Sequence, residues 1–362
     1  MDARGHIVNT EPRCLTLRDA IATPFELVAP SQVPDLPPRD SSFKAYTRGC
    51  LYEADGARVD LSVRAGGVGG DEAMSIDAEI LPPEQRGGSW LAGRTLYLGT
   101  FMNHYGRFVT EGLSRFWPQE LGAFDHVVAY PFIHNDGATL VQESHRYLAG
   151  LLNVPIERMA ALRSQTVFDE IVMPEQLWAC NSHVNVHMRE VYGRISARHA
   201  GKGSAGRIFL SRVSSPRLGN VAAVEEIFAS FGFRVLYPEQ IKIADQLSLY
   251  ANCEILAGLS GSAMHNCLFA RLGLMTIEVG DARARRKPVL MQRIANELAQ
   301  VDARFIPFGE REDVRIEPKI VKKHLRDILG ELPRTGPALL LRLKRRWARL
   351  KSGKKTRQNS NA

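Results

Sequence analysis

The sequence predicts an α/β protein with two Rossmann-like, doubly wound domains facing across a cleft, followed by a basic helical tail. Three observations lead there. In the second half, short apolar runs recur roughly every 20–27 residues with helical patterns between them, the rhythm of a parallel sheet. The first half alternates strand and helix patterns more loosely. The stretch Cys253 to Gly280 reads as strand, small polar turn (Leu259-Ser260-Gly261-Ser262), helix and strand, a βαβ unit whose helix N-terminus would present free N–H groups.

In chain order, residues 1–42 carry Pro30, Pro34, Pro37 and Pro38 and read as an irregular arm. Residues 43–200 form a first α/β domain. Within it Val59–Val63 alternates like a strand, and Ala65–Asp71 is a glycine-rich loop that lacks the Lys-Ser/Thr of a phosphate loop. Strands are expected at Arg94–Thr100, Asp125–Phe132 and Met159–Arg163. Helices are expected at Asn103–Trp117 and Ala138–Leu152, and a long polar helix is carried by Asn181–Arg198, after a break at Met173–Gln176. The linker-like GKGSAG (201–206) opens a second domain, 201–333. Its strands are Arg207–Ser211, Arg234–Tyr237, Ile255–Gly258 and Met275–Val279, and its helices Val221–Phe231, Ala244–Asn252 and Ala263–Leu272.

Composition bounds the function. The 362 residues are 44% hydrophobic and 24% charged, as in soluble globular proteins. Five scattered cysteines form no C-x-x-C pair, so neither a zinc site nor a disulfide framework is indicated, and a reducing cytoplasm fits. The N-terminus has no apolar signal core, and no apolar run approaches the ~18 residues of a membrane span. Of the net charge of +8, Arg334–Ala362 supplies ten Lys and Arg with no acid, leaving 8 − 10 = −2 for the rest. The basic balance therefore describes a tail, and nucleic acid is not the expected partner of the body.

Ligands of open parallel sheets bind off the carboxyl ends of strands. There the second domain carries Arg212, Arg217, Ser260, Gly261, Ser262 and, near its last strand end, Glu278. Two guanidinium groups and a helix N-terminus suit a diphosphate, and Glu278 is placed to accept from ribose hydroxyls. The spacing Gly258-x-x-Gly261 is not a dinucleotide fingerprint, which counts against an NAD enzyme.

The run from Arg207 to Gly280 resembles the C-terminal half of family 61 glycosyltransferases. The shared landmarks are Ser211-Arg212, Arg217, Asn220, Gly232-Phe233, Pro238-Glu239, Gln246, Gly261-Ser262, Asn266 and Phe269, and Asn103–Glu111 resembles a first-half landmark. The resemblance covers roughly residues 95–280. It implies a GT-B type fold and an inverting transferase that needs no metal or other cofactor. The expected substrate is a nucleotide-sugar donor of UDP-sugar type. The donor would be held by Arg212, Arg217, Ser260, Gly261, Ser262, His265, Asn266 and Glu278. The acceptor is expected to be a glycan or lipid-linked molecule in capsule, lipopolysaccharide or exopolysaccharide assembly. One departure stands out: Arg107 occupies the place, four residues before Glu111, where the family usually has His.

Displacement at an anomeric carbon needs a base on the acceptor hydroxyl. Candidates are Glu111 and His104, with Asp136 and His134 behind them. In the tail, residues 334–362, Leu339, Leu340, Leu343, Trp347 and Leu350 share one helical arc of about 100° and basic residues fill the rest. Residues 338–351 are therefore expected to meet an anionic membrane surface, placing a cytoplasmic protein peripherally on the inner face of the cell membrane. Two alternatives stay open: a non-catalytic nucleotide- or sugar-binding partner of an assembly complex, motivated by Arg107, and a nucleic-acid-binding protein recruited by its tail.

Overall fold

A computed structural model describes residues 4–32, 45–64, 73–119, 123–132, 140–201, 203–213, 218–308 and 315–330. Asp136, His134, Arg217, the glycine-rich loop and the basic tail lie outside the described residues. The chain divides into two compact units. Unit 1 comprises 1–200 with 290–300, and unit 2 comprises 201–289 with 301–362.

Unit 1 begins with strands β1 (Ile7–Val8), β2 (Cys14–Ala22), β3 (Glu26–Val28), β4 (Ala45–Arg48), β5 (Leu51–Tyr52) and β6 (Ala73–Ser75). It continues with β7 (Ser89–Met102), helix α1 (Tyr105–Thr110), β8 (His126–Phe132), α2 (Glu143–Leu151), β9 (Met159–Ala161) and β10 (Thr166–Pro174). It closes with β11 (Trp178–Ala179), β12 (His183–Asn185) and α3 (Met188–Ala197). The main sheet has the order β5-β2-β10-β7-β8-β9. Strands β10, β7, β8 and β9 are parallel, whereas β2 runs antiparallel to β10 and β5. Its core gathers Tyr97, Val128, Tyr130, Phe168, Ile171 and Met173.

Several expectations for this half are corrected. Unit 1 is a mixed sheet, not a uniformly parallel one. The N-terminal segment is no irregular arm over 14–22: those nine residues form β2, whose last three are fully or almost fully buried. Val59–Val63 is not a strand but the 3₁₀ turn Asp60–Ser62. There the Ser62 hydroxyl donates to Val59 O (2.6 Å) and accepts from Leu51 N (2.7 Å), replacing ladder bonds by local ones. The helix expected over 103–117 is α1 followed by the 3₁₀ turn Gly112–Arg115. The Ser114 hydroxyl bonds back to Glu111 O (2.5 Å), and a Cβ at Gly112 would meet the Phe108 ring at 2.6 Å. The break expected at Met173–Gln176 comes after Pro174, the last residue of β10.

Unit 2 follows the sequence reading closely. Its elements are β13 (Gly206–Leu210), α4 (Val221–Ser230), β14 (Arg234–Leu236), α5 (Ile243–Asn252), β15 (Cys253–Leu259), β16 (Met275–Val279), β17 (Asp302–Ile306) and α7 (Pro318–Leu329). All five strands are parallel in the order β14-β13-β15-β16-β17. Winding reverses between β13 and β15, which makes their carboxyl ends a topological switch point. The helix expected at Ala263–Leu272 is instead the 3₁₀ helix Ser262–Phe269. A buried cluster of Phe209, Phe228, Phe231, Phe233, Ile277 and Val279 with Val321 and Leu325 of α7 packs one face of this sheet. The helix between β16 and β17, α6 (Leu290–Ala299), belongs to unit 1, where it packs against β1 and β12. Among the described residues no helix is long and apolar enough to cross a membrane.

Candidate functional site

Three neighbouring strands bring the predicted groups of unit 2 to one sheet edge. Leaving β13, Ser211 is fully buried and its hydroxyl donates to Glu225, which Tyr237 also contacts. Arg212 follows and lays its guanidinium on the next strand's turn, Nη2 donating to Ser260 O at 2.6 Å. That approach requires the glycine beside it. Gly261 has φ +141°, and a Cβ there would lie 1.7 Å from Arg212 Nη2. Ser260 is 1% exposed and its N–H donates to Val279 O (2.8 Å), which ties the turn after β15 to β16.

Glu278, paired in register with Gly258, is 2% exposed. Among the described residues neither of its carboxylate oxygens, nor the Ser260 hydroxyl, has a hydrogen-bond partner of good geometry. Burial pushes the Glu278 carboxyl up to about 7. Asp281 adds to the shift, while the Ser260 hydroxyl, Arg283 and Arg212 oppose it. Glu278 is thus a buried carboxyl with open acceptor capacity, one strand away from the switch point.

Other expected residues hold the frame. Asn266, fully buried, donates to Ala263 O (3.0 Å) within the 3₁₀ helix that Ser262 begins, and His265 is buried beside it. Asn220 clamps Ile316 in both directions, accepting from its N–H (3.1 Å) and donating to its carbonyl (2.8 Å). Gln246 donates to Pro238 O and Ile241 O and accepts from Tyr250 OH. These amides satisfy backbone groups that the short elements of this half leave over.

Unit 1 separates its two base candidates. His104 is exposed at the carboxyl end of β7, where its carbonyl starts α1 by accepting from Phe108 N. Glu111 is 7% exposed and sits between two guanidinium groups, Arg64 Nη2 at 2.8 Å and Arg107 Nη1 at 3.2 Å. Arg107, one turn earlier on the same face, thus supplies a cation to the buried acid. Cys180 lies in this cluster, its thiol pushed up to about 11 by burial and by Glu111. A cavity of about 370 Å³ elsewhere in unit 1 is lined by Gln119, Asn153, Arg194 and Arg198, and none of the predicted site residues reaches it.

The structure also shows groups the sequence reading missed. Arg64 completes the Glu111 cluster, and nothing in its local sequence marks it. The run Asp281–Lys287 (DARARRK) follows the carboxyl end of β16, and its density of cations after a strand was the available signal.

Residues 105–277 match the family model Glycosyltransferase 61. This supports a family 61 glycosyltransferase. The matched segment starts at the first residue of α1 and ends within β16, so it takes in Glu111, Arg212 and the turn at Ser260–Ser262. A family 61 assignment implies a sugar donor, of nucleotide-sugar type, and an acceptor. No curated protein matches the chain.

Proposed function

We propose that this protein is an inverting glycosyltransferase of GT-B type. Unit 2 takes the nucleotide-sugar donor and unit 1 contributes the acceptor side. The observation that carries this reading is the meeting, at one sheet edge, of Arg212 and the Ser260–Ser262 turn, both inside the segment matching the family model, with the buried Glu278 one residue beyond it. Glu278 and Ser260 take the ribose hydroxyls of a UDP-type donor. Arg212, the first N–H groups of the 3₁₀ helix and His265 bind its diphosphate, joined by Arg217 as the sequence expects.

In the reaction a base removes the proton of the acceptor hydroxyl. The oxygen attacks the anomeric carbon, and the bond from that carbon to the diphosphate oxygen breaks with inversion. His104, exposed at the end of β7, is the better-placed base, with Asp136 as its alternative. Glu111 is ion-paired with Arg64 and Arg107, which favours a structural role for it over that of the base. The chemistry needs no metal if cations and N–H groups carry the leaving diphosphate. Addition of EDTA to the assay, without effect on rate, is the expected result.

The acceptor is a glycan or lipid-linked molecule of surface polysaccharide assembly, and the basic tail, residues 338–351, meets an anionic inner membrane face. The ten cations and no acid of residues 334–362, six of them within 338–351, support this placement. The decisive experiment is a thermal-shift series with UDP, GDP and ADP, followed by UDP release from UDP-sugars with a panel of acceptors. A UDP shift that Arg212→Ala removes, at unchanged far-UV circular dichroism, is expected. No shift with any nucleotide would overturn the reading. Arg107, with its ion pair to Glu111, favours a second reading as a non-catalytic nucleotide- or sugar-binding partner. Nucleotide binding without transfer to any acceptor would establish that one.

A further inference from the structure

The cations that the site presents do not end with Arg212. Immediately beyond β16 the chain runs Gly280-Asp281-Ala282-Arg283-Ala284-Arg285-Arg286-Lys287, four basic residues in five positions. Because all five strands of unit 2 are parallel, this loop emerges at the same sheet edge as Arg212 and the Ser260 turn. Strands β13, β15 and β16 are successive neighbours, so the two basic groups stand about two strand spacings, ~10 Å, apart.

The loop is built, not loosely appended. Asp281 is 3% exposed, and its Oδ1 accepts from the N–H groups of Arg283 (2.9 Å) and Ala284 (3.0 Å), folding the first turn. Gly280 N donates to Ile306 O and Phe308 N donates to Arg285 O, which stitches the loop to the end of β17. A Cβ at Gly280 would meet Ala284 O at 2.4 Å, so the turn closes only over glycine. Arg285 lies over the Phe308 ring at 5.2 Å. This frame leaves Arg283, Arg286 and Lys287 exposed on the edge.

Arg212 already gives one of its N–H groups to Ser260 O. Arg283 is held only loosely, 3.6 Å from an Asp281 oxygen, at 46% side-chain exposure. The buried Glu278, on the strand that this loop leaves, feels the charges of both Arg212 and Arg283.

We infer that Arg283, Arg286 and Lys287 form a second cationic wall of this site and grip the diphosphate of the nucleotide donor. The wall lies outside residues 105–277, the segment that matches the family model. The inference rests on the donor-site reading above and names the residues that read its charge. A diphosphate carries enough charge for both walls, and guanidinium forks pair with phosphate oxygens bidentately.

The test measures binding of UDP, uridine and inorganic pyrophosphate by calorimetry to the full chain and to Arg283→Gln/Arg286→Gln/Lys287→Gln. The expected result is a loss of at least tenfold in UDP and pyrophosphate affinity, with wild-type pyrophosphate displaced by UDP but not by uridine. A charge-matched control, Lys319→Gln/Lys322→Gln/Lys323→Gln on the exposed face of α7, should bind as wild type. If the triple loop variant is unfolded by circular dichroism, Arg286→Gln/Lys287→Gln, distant from the Asp281 turn, gives the same reading. Equal UDP affinity in loop variant and wild type overturns the inference while leaving the donor-site reading intact. Pyrophosphate binding that is lost in the loop variant, with no binding of UDP, GDP or ADP to wild type, supports an anion wall and sinks the nucleotide reading. Binding of neither overturns both. Displacement of pyrophosphate by geranyl diphosphate and not by UDP overturns the assignment to the donor and points to a lipid-linked acceptor.

Discussion

Two buried glutamates, one in each unit, have opposite surroundings. Glu111 in unit 1 is 7% exposed and lies between Arg64 and Arg107. Glu278 in unit 2 is 2% exposed, and among the described residues its oxygens have no hydrogen-bond partner. The first acid has its charge compensated inside the protein. The second is held near neutrality by burial and keeps its acceptor capacity for something that arrives. A buried acid whose charge the fold compensates with ion pairs belongs to the architecture, and one that burial keeps near neutrality is a better guide to a ligand.

The largest effect should come from breaking the satisfied side. Glu111→Gln removes the counter-charge of the buried Arg64 and the part-buried Arg107 and should lower stability by about 3–5 kcal/mol, read from the urea midpoint. An unchanged midpoint would mean that Glu111 is not the counter-charge and that the contrast between the two acids is false.

The second prediction concerns pH. Native Glu278 keeps its proton up to about 7, whereas an unfolded glutamate loses it near the ordinary value of 4.5. Between those values the native state binds more protons, so stability of unit 2 falls as pH rises, by up to about 3 kcal/mol between pH 5 and 8. Glu278→Gln should flatten that slope and abolish the UDP shift. Unit 1 should respond in the other direction. His145 is fully buried against Phe101 and Phe108, and burial pushes it down to about 4. An unfolded histidine takes up its proton near 6.5, so the stability His145 contributes is present above 6.5 and lost as pH falls towards 4, again by up to about 3 kcal/mol. Hydrogen exchange read by peptide at pH 5 and pH 8 separates the units. Parallel changes in both would break the comparison.

Smaller effects sharpen it. Gly261→Ala sets a Cβ against Arg212 at φ +141° and should cost about 1–3 kcal/mol together with nucleotide affinity, checked by melting with and without UDP. Arg107→His places an imidazole where the resemblance expects one. Because Arg64 still faces Glu111, the expected loss is about 1 kcal/mol or less in the urea midpoint. Gain of transfer activity in that variant would show that Arg107 restrains the chemistry and would strengthen the non-catalytic reading of the native chain.

How far the sequence reading reached follows from where local signals coincide with tertiary ones. In unit 2, apolar runs such as Ile255–Gly258 are buried on both faces, so composition alone marks the strand. All four expected strands of that half are present. In unit 1, β10 carries Asp169 and Glu170 mid-strand. Glu170 is paired across the sheet with Arg94 (2.9 Å) and Arg18 (3.4 Å), and a register shift falls between Phe168 and Glu170. Charges that a neighbouring strand neutralises look like loop residues when read alone. β2 was hidden because its first six residues are exposed or half-buried and prolines follow it. For the site, Arg212, Ser260 and Glu278 were legible because strand ends of a parallel sheet can be counted from sequence. The partnership of Arg64 with Glu111 was not, since 47 positions separate them (111 − 64) and only the fold brings them to 2.8 Å.

The helix α6 has a consequence for how this chain is made. Met291, Ile294, Ala295 and Leu298 are buried where α6 packs in unit 1, and Leu298 O accepts from Arg189 Nε at 2.9 Å. Yet α6 leaves the ribosome only after all of residues 201–289 have been synthesised. Until then unit 1 must wait with the apolar surface around β1 and β12 uncovered, and β17 cannot join its sheet until α6 has passed. The units therefore mature together, late in translation, and not one after the other as separate beads. Expression of residues 1–200 alone should yield an aggregation-prone product. Supplying Leu290–Gln300 through a short linker to residue 200 should restore solubility.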